Sequence, residues 1–184
     1  IMRAYGTRHG AGPFVTEDPE MKSIFPGEHN ALNPWQGEFR TGNLDMVQLH
    51  YALECTKPAG GIDCIALTHL DVFDRKNAAG VPNTVRVAEG YLVPGDANVT
   101  REAGEILVNR LEPQFREDLD HQEKMTRVLE KATPLYATTI ADAETMIEYV
   151  ETATGLPVKY AGAGWTAADK KVRRPDPSSM TCAA

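Results

Sequence analysis

The chain has 184 residues, of which 42% are hydrophobic and 24% charged, and its formal net charge is −7. This composition is that of a globular domain large enough to bury a core, and it lacks the basic surplus with which a general nucleic-acid binder neutralises phosphates. No apolar run approaches the ~20 residues of a membrane-spanning helix. We therefore expect a single domain over residues 1–184, with neither nucleic acid nor a membrane as its partner.

The cysteines, Cys55, Cys64 and Cys182, are odd in number and have no metal-ligand spacing. Such cysteines are typical of free thiols in a reducing compartment, and no signal peptide opens the sequence. We therefore predict a cytoplasmic protein and assign no metal site to this chain. Residues Ile1–Tyr5 read as a strand entered midway, so we also expect the sequence to be a fragment of a longer protein.

The first predicted strand, Ile1–Tyr5, leads into a glycine-rich loop over Gly6–Glu17. In that loop Gly10 and Gly12 permit positive φ and let a ligand approach the backbone closely. Residues Asp18–Trp35 are rich in Pro, Gly and Asn, and they predict a second, long loop of the kind that often binds ligands. A plain connection between strands is the more common role of either loop.

Apolar residues at helical spacing begin near Asn43, which together with Thr41 is a candidate N-cap. The apolar run Ile62–Leu67 predicts a buried strand of a parallel sheet, and it ends in Thr68-His69-Leu70-Asp71. Ligands of open α/β folds bind at this edge of the sheet. The Asp71 carboxylate could accept a pair of hydrogen bonds from guanine, or it could simply cap a turn.

Farther along, Arg75–Asn83 predicts a loop, and Thr84–Val93 alternates as a half-buried strand outside the parallel core. Residues Arg101–Lys131 have helical spacing that Pro113 must interrupt, so we expect two helical pieces or an irregular insertion. A weak strand is expected over Leu135–Ile140.

The clearest helix is predicted over Asp142–Thr154, where Asp142 caps the start and Gly155 ends the helix. A final strand, Leu156–Ala161, opens into Gly162-Ala163-Gly164-Trp165, a loop suited to backbone contact with a flat ring. The alternation of helices and strands predicts an α/β fold, with a partial, mostly parallel sheet and flanking helices.

Three motifs resemble, in order and rough spacing, signatures of the adenylosuccinate synthetase family. Thr7–Glu17 is similar to T-R-x-G-A-G-P-F-P-T-E, Arg40–Asp45 to R-x-G-W-L-D, and Thr68–Asp71 to T-K-L-D. Residues Gly162–Gly164 fall where that family closes its base pocket. The resemblance covers most of this chain but only the second half of the family's. It implies the carboxyl-terminal part of a P-loop-like nucleotide-binding ligase fold.

The resemblance implies a ligase of purine nucleotide synthesis. Such an enzyme uses GTP and Mg²⁺ to phosphorylate the 6-oxygen of IMP, and the amine of L-aspartate then displaces phosphate to give adenylosuccinate. The implied contacts are Arg8, His9 and Gly10 for the nucleotide monophosphate, Gln36, Gly37 and Arg40 for aspartate and ribose, and Thr68, His69, Asp71, Gly162, Ala163 and Gly164 for the donor base. We also expect a homodimer, since a free half would expose an apolar face.

Two departures from the family pattern leave the substrates open. The family's aspartate loop is roughly T-T-G-R-x-R-R, whereas Leu32–Arg40 keeps one Arg, so the accepted nucleotide could lack a 2′-hydroxyl. His69 stands where the family has Lys, so the donor could shift from GTP toward ATP. Both changes are reminiscent of the phage branch of the family, which makes 2-aminoadenylosuccinate from dGMP.

A third departure concerns catalysis. The family's phosphate loop, catalytic Asp and catalytic His lie in an amino-terminal half that this sequence does not include. We therefore assign no catalytic residue and expect no catalysis by this chain alone. Two interpretations stay open: the carboxyl-terminal portion of a synthetase, or a non-catalytic domain that binds nucleotides.

Overall fold

The computed structural model describes residues 1–24, 32, 34–94, 105–113 and 118–173. The strands in these ranges are β1 Met2–Arg3, β2 Gly6–His9, β3 Phe39–Gly42, β4 Leu44–Asp45, β5 Ile65–Thr68, β6 Val85–Pro94, β7 Glu105–Val108, β8 Thr133–Ile140, β9 Val158–Gly162 and β10 Lys170–Val172. The α-helices are α1 Met46–Thr56, α2 Val72–Ala78, α3 Leu119–Leu129 and α4 Ala143–Thr154. Short 3₁₀ helices cover Pro19–Ile24, Lys57–Ala59 and Ala167–Asp169.

The first sheet has the strand order β1-β5-β9-β10. Its strands β1, β5 and β9 run parallel, whereas β10 is antiparallel to β9. The predicted strand at Ile62–Leu67 is confirmed as β5, whose Ile65 and Leu67 are buried. Because the three parallel strands end at one edge, the loops that follow them lie together there.

The second sheet is built around the long strand β6. Strand β4 pairs with β6 in parallel, and β7 and β8 pair with it antiparallel. Strands β2 and β3 form a separate antiparallel ribbon. The α/β class is confirmed, with parallel pairing in the first sheet and at β4.

The main hydrophobic core joins both sheets to helix α4. Leu67 of β5, Val87 of β6, and Met146 and Val150 of α4 are fully buried in it. The prediction for α4 is confirmed at both ends: the Thr145 N–H donates to Asp142 Oδ1 at 2.9 Å, and Gly155 closes the helix at φ +67°. Among the described residues, no helix combines the length and apolarity needed to cross a membrane.

Several local predictions are wrong because pairing partners override local signals. Residues Gly6–His9, expected in a loop, form β2 because they pair with β3. Ile106 and Leu107, expected on a helix, lie in β7, where pairing with β6 outweighs their helical spacing.

One helix was not predicted, and another begins at a different cap. Helix α2 spans Val72–Ala78, where a loop was expected from Arg75 onward. Helix α1 is capped by Asp45 rather than by Thr41 or Asn43. The predicted long loop over Asp18–Trp35 contains a 3₁₀ helix at its start, and its residues 25–31 and 33 lie outside the described residues.

Asp45 joins helix α1 to strand β6 in the interior. Its Oδ1 accepts from the Gln48 N–H at 3.0 Å, and its Oδ2 accepts from the Tyr91 hydroxyl at 2.6 Å. Burial raises the pKa of Asp45, and the hydrogen bonds from Tyr91 and the helix backbone oppose that rise. Burial and the neighbouring carboxylate also raise the pKa of Tyr91, so its hydroxyl remains a donor.

The Tyr91→Phe variant tests this buried contact. It removes the donor and leaves a buried carboxylate oxygen unsatisfied, so we expect the free energy of unfolding to fall by about 1.5–3 kcal/mol near neutral pH. The control is Tyr149→Phe, because the Tyr149 hydroxyl donates at 2.8 Å to the exposed carboxylate of Glu89. Urea titrations should show a smaller loss for the control, and equal losses would contradict the interpretation.

Candidate functional site

Two arginines on paired strands hold the loop that follows β2. Strand pairing places Arg8 opposite Arg40. Arg8 donates to the Ala11 carbonyl from Nε at 3.1 Å and from Nη2 at 2.9 Å. Arg40 Nη1 donates to the carbonyls of Gly10 at 3.1 Å and Gly12 at 2.9 Å. Two guanidinium groups thus donate to the three consecutive carbonyls of Gly10, Ala11 and Gly12, a segment that we call the glycine loop.

The glycine loop requires glycine at two of its three positions. Gly12 has φ +99°, and a Cβ there would lie 2.4 Å from Arg8 Nη2. Gly10 has φ +75°, and a Cβ there would lie 2.7 Å from the Gln36 carbonyl oxygen. The Gly10 N–H also donates to the Glu38 carbonyl at 2.9 Å. The structure therefore places the segments predicted for the monophosphate and for aspartate next to each other.

Arg40 makes a two-point ion pair with Glu17. Its Nε donates to Oε1 at 2.9 Å, and its Nη2 donates to Oε2 at 2.5 Å. The hydrogen bond from Arg40 holds the pKa of Glu17 below its usual range. In this structure Arg40 organises the glycine loop, and its predicted contact with aspartate or ribose stays a prediction. Arg8 likewise binds the backbone of the glycine loop, and its predicted contact with the nucleotide monophosphate stays a prediction.

His9 and Gln36 lie at the surface beside the glycine loop. The His9 ring packs against Phe39, with centroids 5.0 Å apart. Gln36 is exposed, and Gly37 has φ +71° beside Gly10. The side chains of His9 and Gln36 thus border the glycine loop on its solvent side.

A cleft of about 640 Å³ opens at the carboxyl ends of the parallel strands. Arg3 ends β1 at the cleft, Thr68 ends β5 and His69 follows it, and the loop after β9 contributes Gly164 and Trp165. We call this the carboxyl-edge cleft. It therefore unites three of the six residues predicted for the donor base, from two different loops.

His69 has φ +61°, the one positive φ among the described residues other than glycine. Backbone in this region costs energy in a non-glycine residue and occurs often at functional sites. The Thr68 hydroxyl donates to the Met2 carbonyl at 3.0 Å, so its oxygen accepts from His69 Nδ1 at 3.0 Å. This assigns the proton of a neutral His69 ring to Nδ1. The ring edge also meets Tyr5, with centroids 5.8 Å apart.

The other predicted base contacts support the cleft from nearby. Asp71 Oδ2 accepts from Arg75 Nε at 2.6 Å, within helix-like i,i+4 spacing. The Leu70 N–H donates to the Gly162 carbonyl at 3.0 Å, which ties the loop after β5 to the end of β9. Ala163 continues from Gly162, and its N–H donates to the Asp169 carbonyl at 3.0 Å. None of Asp71, Gly162 and Ala163 is among the residues that line the cleft.

The sequence analysis placed Trp165 in a loop suited to contact with a flat ring, but it did not identify three other residues of the cleft as contacts: Arg3, Tyr5 and Lys170. Lys170 begins β10, a strand that was not predicted, and its Nζ donates to the Gly164 carbonyl. A smaller cavity of about 220 Å³ shares Arg3, Tyr5 and Thr7 with the cleft and reaches Arg8. The glycine loop and the carboxyl-edge cleft are thus neighbouring parts of one surface.

Comparison with known proteins decides the family. The family model described as adenylosuccinate synthetase matches residues 1–170. The chain belongs to the adenylosuccinate synthetase family. The resemblance seen in the three sequence motifs is thereby confirmed.

Individual members of the adenylosuccinate synthetase family match with modest identity. The adenylosuccinate synthetase of Monosiga brevicollis is 28% identical over 167 residues, covering 89% of this chain and 35% of that relative. That of Symbiobacterium thermophilum is 30% identical over 168 residues, covering 89% of this chain and 36% of the relative. The chain therefore spans about a third of the length of the curated relatives it matches.

A solved structure confirms the fold. The structure of fully ligated adenylosuccinate synthetase from Plasmodium falciparum superimposes with a TM-score of 0.64 at 19% identity. The match covers 95% of this chain and 39% of that one. At this identity the likeness establishes the shared α/β architecture.

The Glu17→Gln variant tests the ion pair behind the glycine loop. The pKa of Glu17 is lowered in the folded state, so the pair stabilises the fold at neutral pH and is lost as pH falls through that lowered pKa. We expect the variant to lose about 1 kcal/mol of unfolding free energy near neutral pH, with the difference closing below about pH 4.

Urea titrations across this pH range provide the measurement. The control is Glu123→Gln, which removes an exposed i,i+4 pair with Arg127 on α3. We expect the control to change stability by less than about 0.5 kcal/mol. A Glu17→Gln deficit that stays constant down to acidic pH would show that the charge of Glu17 is not its cause.

Proposed function

We propose that this chain is the nucleotide-binding, carboxyl-terminal part of an adenylosuccinate synthetase that joins L-aspartate to the 6-position of IMP, with GTP as the phosphate donor. The observation that carries the proposal is the continuity of the carboxyl-edge cleft with the smaller cavity at Arg8, the residue that binds the glycine loop. Two adjoining recesses on one surface suit a reaction that must hold two nucleotides together. Family membership over residues 1–170 supports the same activity.

The proposal divides the surface between the two nucleotides. The glycine loop and the adjoining Gln36 would face the acceptor nucleotide and aspartate, and the carboxyl-edge cleft would hold the donor base. Arg3 and Thr7 line both cavities and would lie between the two ligands. Phosphoryl transfer depends mainly on positioning and charge neutralisation, and this chain would supply positioning.

The family's Mg²⁺ has no ligand set in the described part of the chain. There, no three side chains of His, Cys, Asp or Glu converge as a possible metal site. We therefore assign no Mg²⁺ ligand to these residues, and the absence of a catalytic residue from this chain stays a prediction. A homodimer and a cytoplasmic location remain predictions of the proposed function.

A second candidate differs in its substrates: dGMP as acceptor and ATP as donor. Arg40 is bound to Glu17 and to two loop carbonyls, so a ribose 2′-hydroxyl would have to compete for it. The Asp71 carboxylate, the candidate reader of guanine, already accepts from Arg75. Both contacts favour an enzyme that depends less on a ribose 2′-hydroxyl in the acceptor nucleotide and less on guanine in the donor nucleotide.

Product formation by the complete gene product that contains residues 1–184 separates these candidates. IMP or dGMP is combined with GTP or ATP and L-aspartate, and products are identified by mass spectrometry. Adenylosuccinate made from IMP with GTP is the expected result, whereas a product from dGMP with ATP would favour the second candidate. Nucleotide binding without any product would identify a non-catalytic binding domain, and the absence of both would contradict the proposal.

The His69→Lys variant tests donor choice in the same assay. Lys restores the residue of the family motif, and we expect the ratio of kcat/KM for GTP to that for ATP to rise by about tenfold, the effect of one good polar contact. An unchanged ratio would remove His69 from the residues that select the donor.

A further inference from the structure

Trp165 is a large aromatic residue whose side chain is mostly exposed to solvent. Its side chain is 81% exposed, yet it lines the carboxyl-edge cleft beside His69 and Gly164. A tryptophan buries a large apolar area when it is covered, so one exposed in the wall of a cleft is suited to contact a flat ligand.

The cation next to Trp165 is itself held in place. The Arg75 guanidinium carbon lies 5.4 Å from the centroid of the indole ring, within range of a cation–π contact. Arg75 Nε donates to Asp71 Oδ2 at 2.6 Å. The Asp71 carboxylate therefore fixes Arg75, and Arg75 packs over the ring.

The backbone around Trp165 is also well defined by contacts. Asp169 Oδ2 accepts from the Thr166 N–H at 2.8 Å and from the Thr166 hydroxyl at 2.7 Å. A Cβ at Gly164 would lie 2.5 Å from the Asp169 carboxylate, so the loop packs closely on itself. The indole is thus presented by a folded turn rather than by an open loop, which lowers the entropy lost on binding.

We propose that Trp165 is the stacking surface for the purine base in the carboxyl-edge cleft, with Arg75 and Asp71 as its positioning residues. The inference rests on the proposed function, because it assumes that the cleft binds a nucleotide. Stacking on an aromatic ring is tolerant of base identity, since every base has a π-face. Because Asp71 is bound to Arg75, the site should bind ATP and GTP with similar affinity.

Tryptophan fluorescence of the chain tests the contact directly. The sequence has two tryptophans, so Trp35→Phe leaves Trp165 as the one reporter. ATP and GTP should both quench this fluorescence, with dissociation constants within about threefold of each other. Inorganic tripolyphosphate has no base and should leave the fluorescence unchanged.

Calorimetric titrations of variants measure the contribution of the ring. Trp165→Leu should weaken binding of ATP and GTP by about tenfold or more, and Trp165→Phe should retain most of the affinity. Because Trp165 is exposed, neither change removes core packing, and circular dichroism checks the fold. The control is Tyr160→Ala, which removes a 44% exposed aromatic of β9 that does not line the cleft, and we expect no change in affinity.

Three results would overturn the inference. Unchanged purine affinity in Trp165→Leu would refute stacking while leaving nucleotide binding intact. A strong preference for GTP that Asp71→Asn abolishes would assign base recognition to the Asp71 carboxylate instead. Failure of the unmodified chain to bind either purine would refute the stacking role together with the proposed nucleotide site.

Discussion

The hydrogen bonds from two arginines to three consecutive carbonyls are the contact on which the rest of the surface depends. Arg8 and Arg40 can both reach the glycine loop because strands β2 and β3 pair them directly. The same loop requires positive φ at Gly10 and Gly12 and brings Gln36 against the backbone. Glu17 balances the charge of Arg40, so the region is stabilised without a ligand.

The carboxyl-edge cleft is organised differently, by the parallel sheet itself. Strands β1, β5 and β9 end together, and the hydrogen bond from Leu70 to Gly162 joins two of the loops that follow them. His69 adopts its positive φ at this junction. Arg3 and Thr7 connect the cleft to the glycine loop, because the short β1 and β2 strands are consecutive in the chain. The two recesses of the proposed site thus follow from one sheet edge and one ribbon.

The sequence predicted those parts in which local signals and tertiary contacts agree. Helix α4 has its Asp142 cap and its Gly155 end, and its apolar face packs in the core. The sequence could not predict β7, because Ile106 lies in a strand through its pairing with β6 and not through the helical spacing of its own segment. In the site, motif order grouped the residues of the glycine loop and those of the carboxyl-edge cleft. It could not show that Arg40 is bound to Glu17, since that contact depends on how the ribbon pairs.

The most direct test of the account is to follow the backbone amide signals of the chain by NMR during separate titrations with IMP and with GTP. The account predicts that IMP shifts the signals of Gly10 and Gly12, and that GTP shifts those of Thr68 and Gly164. Shifts centred instead on the groove between α1 and α3, near Gln48 and Met125, would contradict it. So would the absence of any shift at saturating nucleotide.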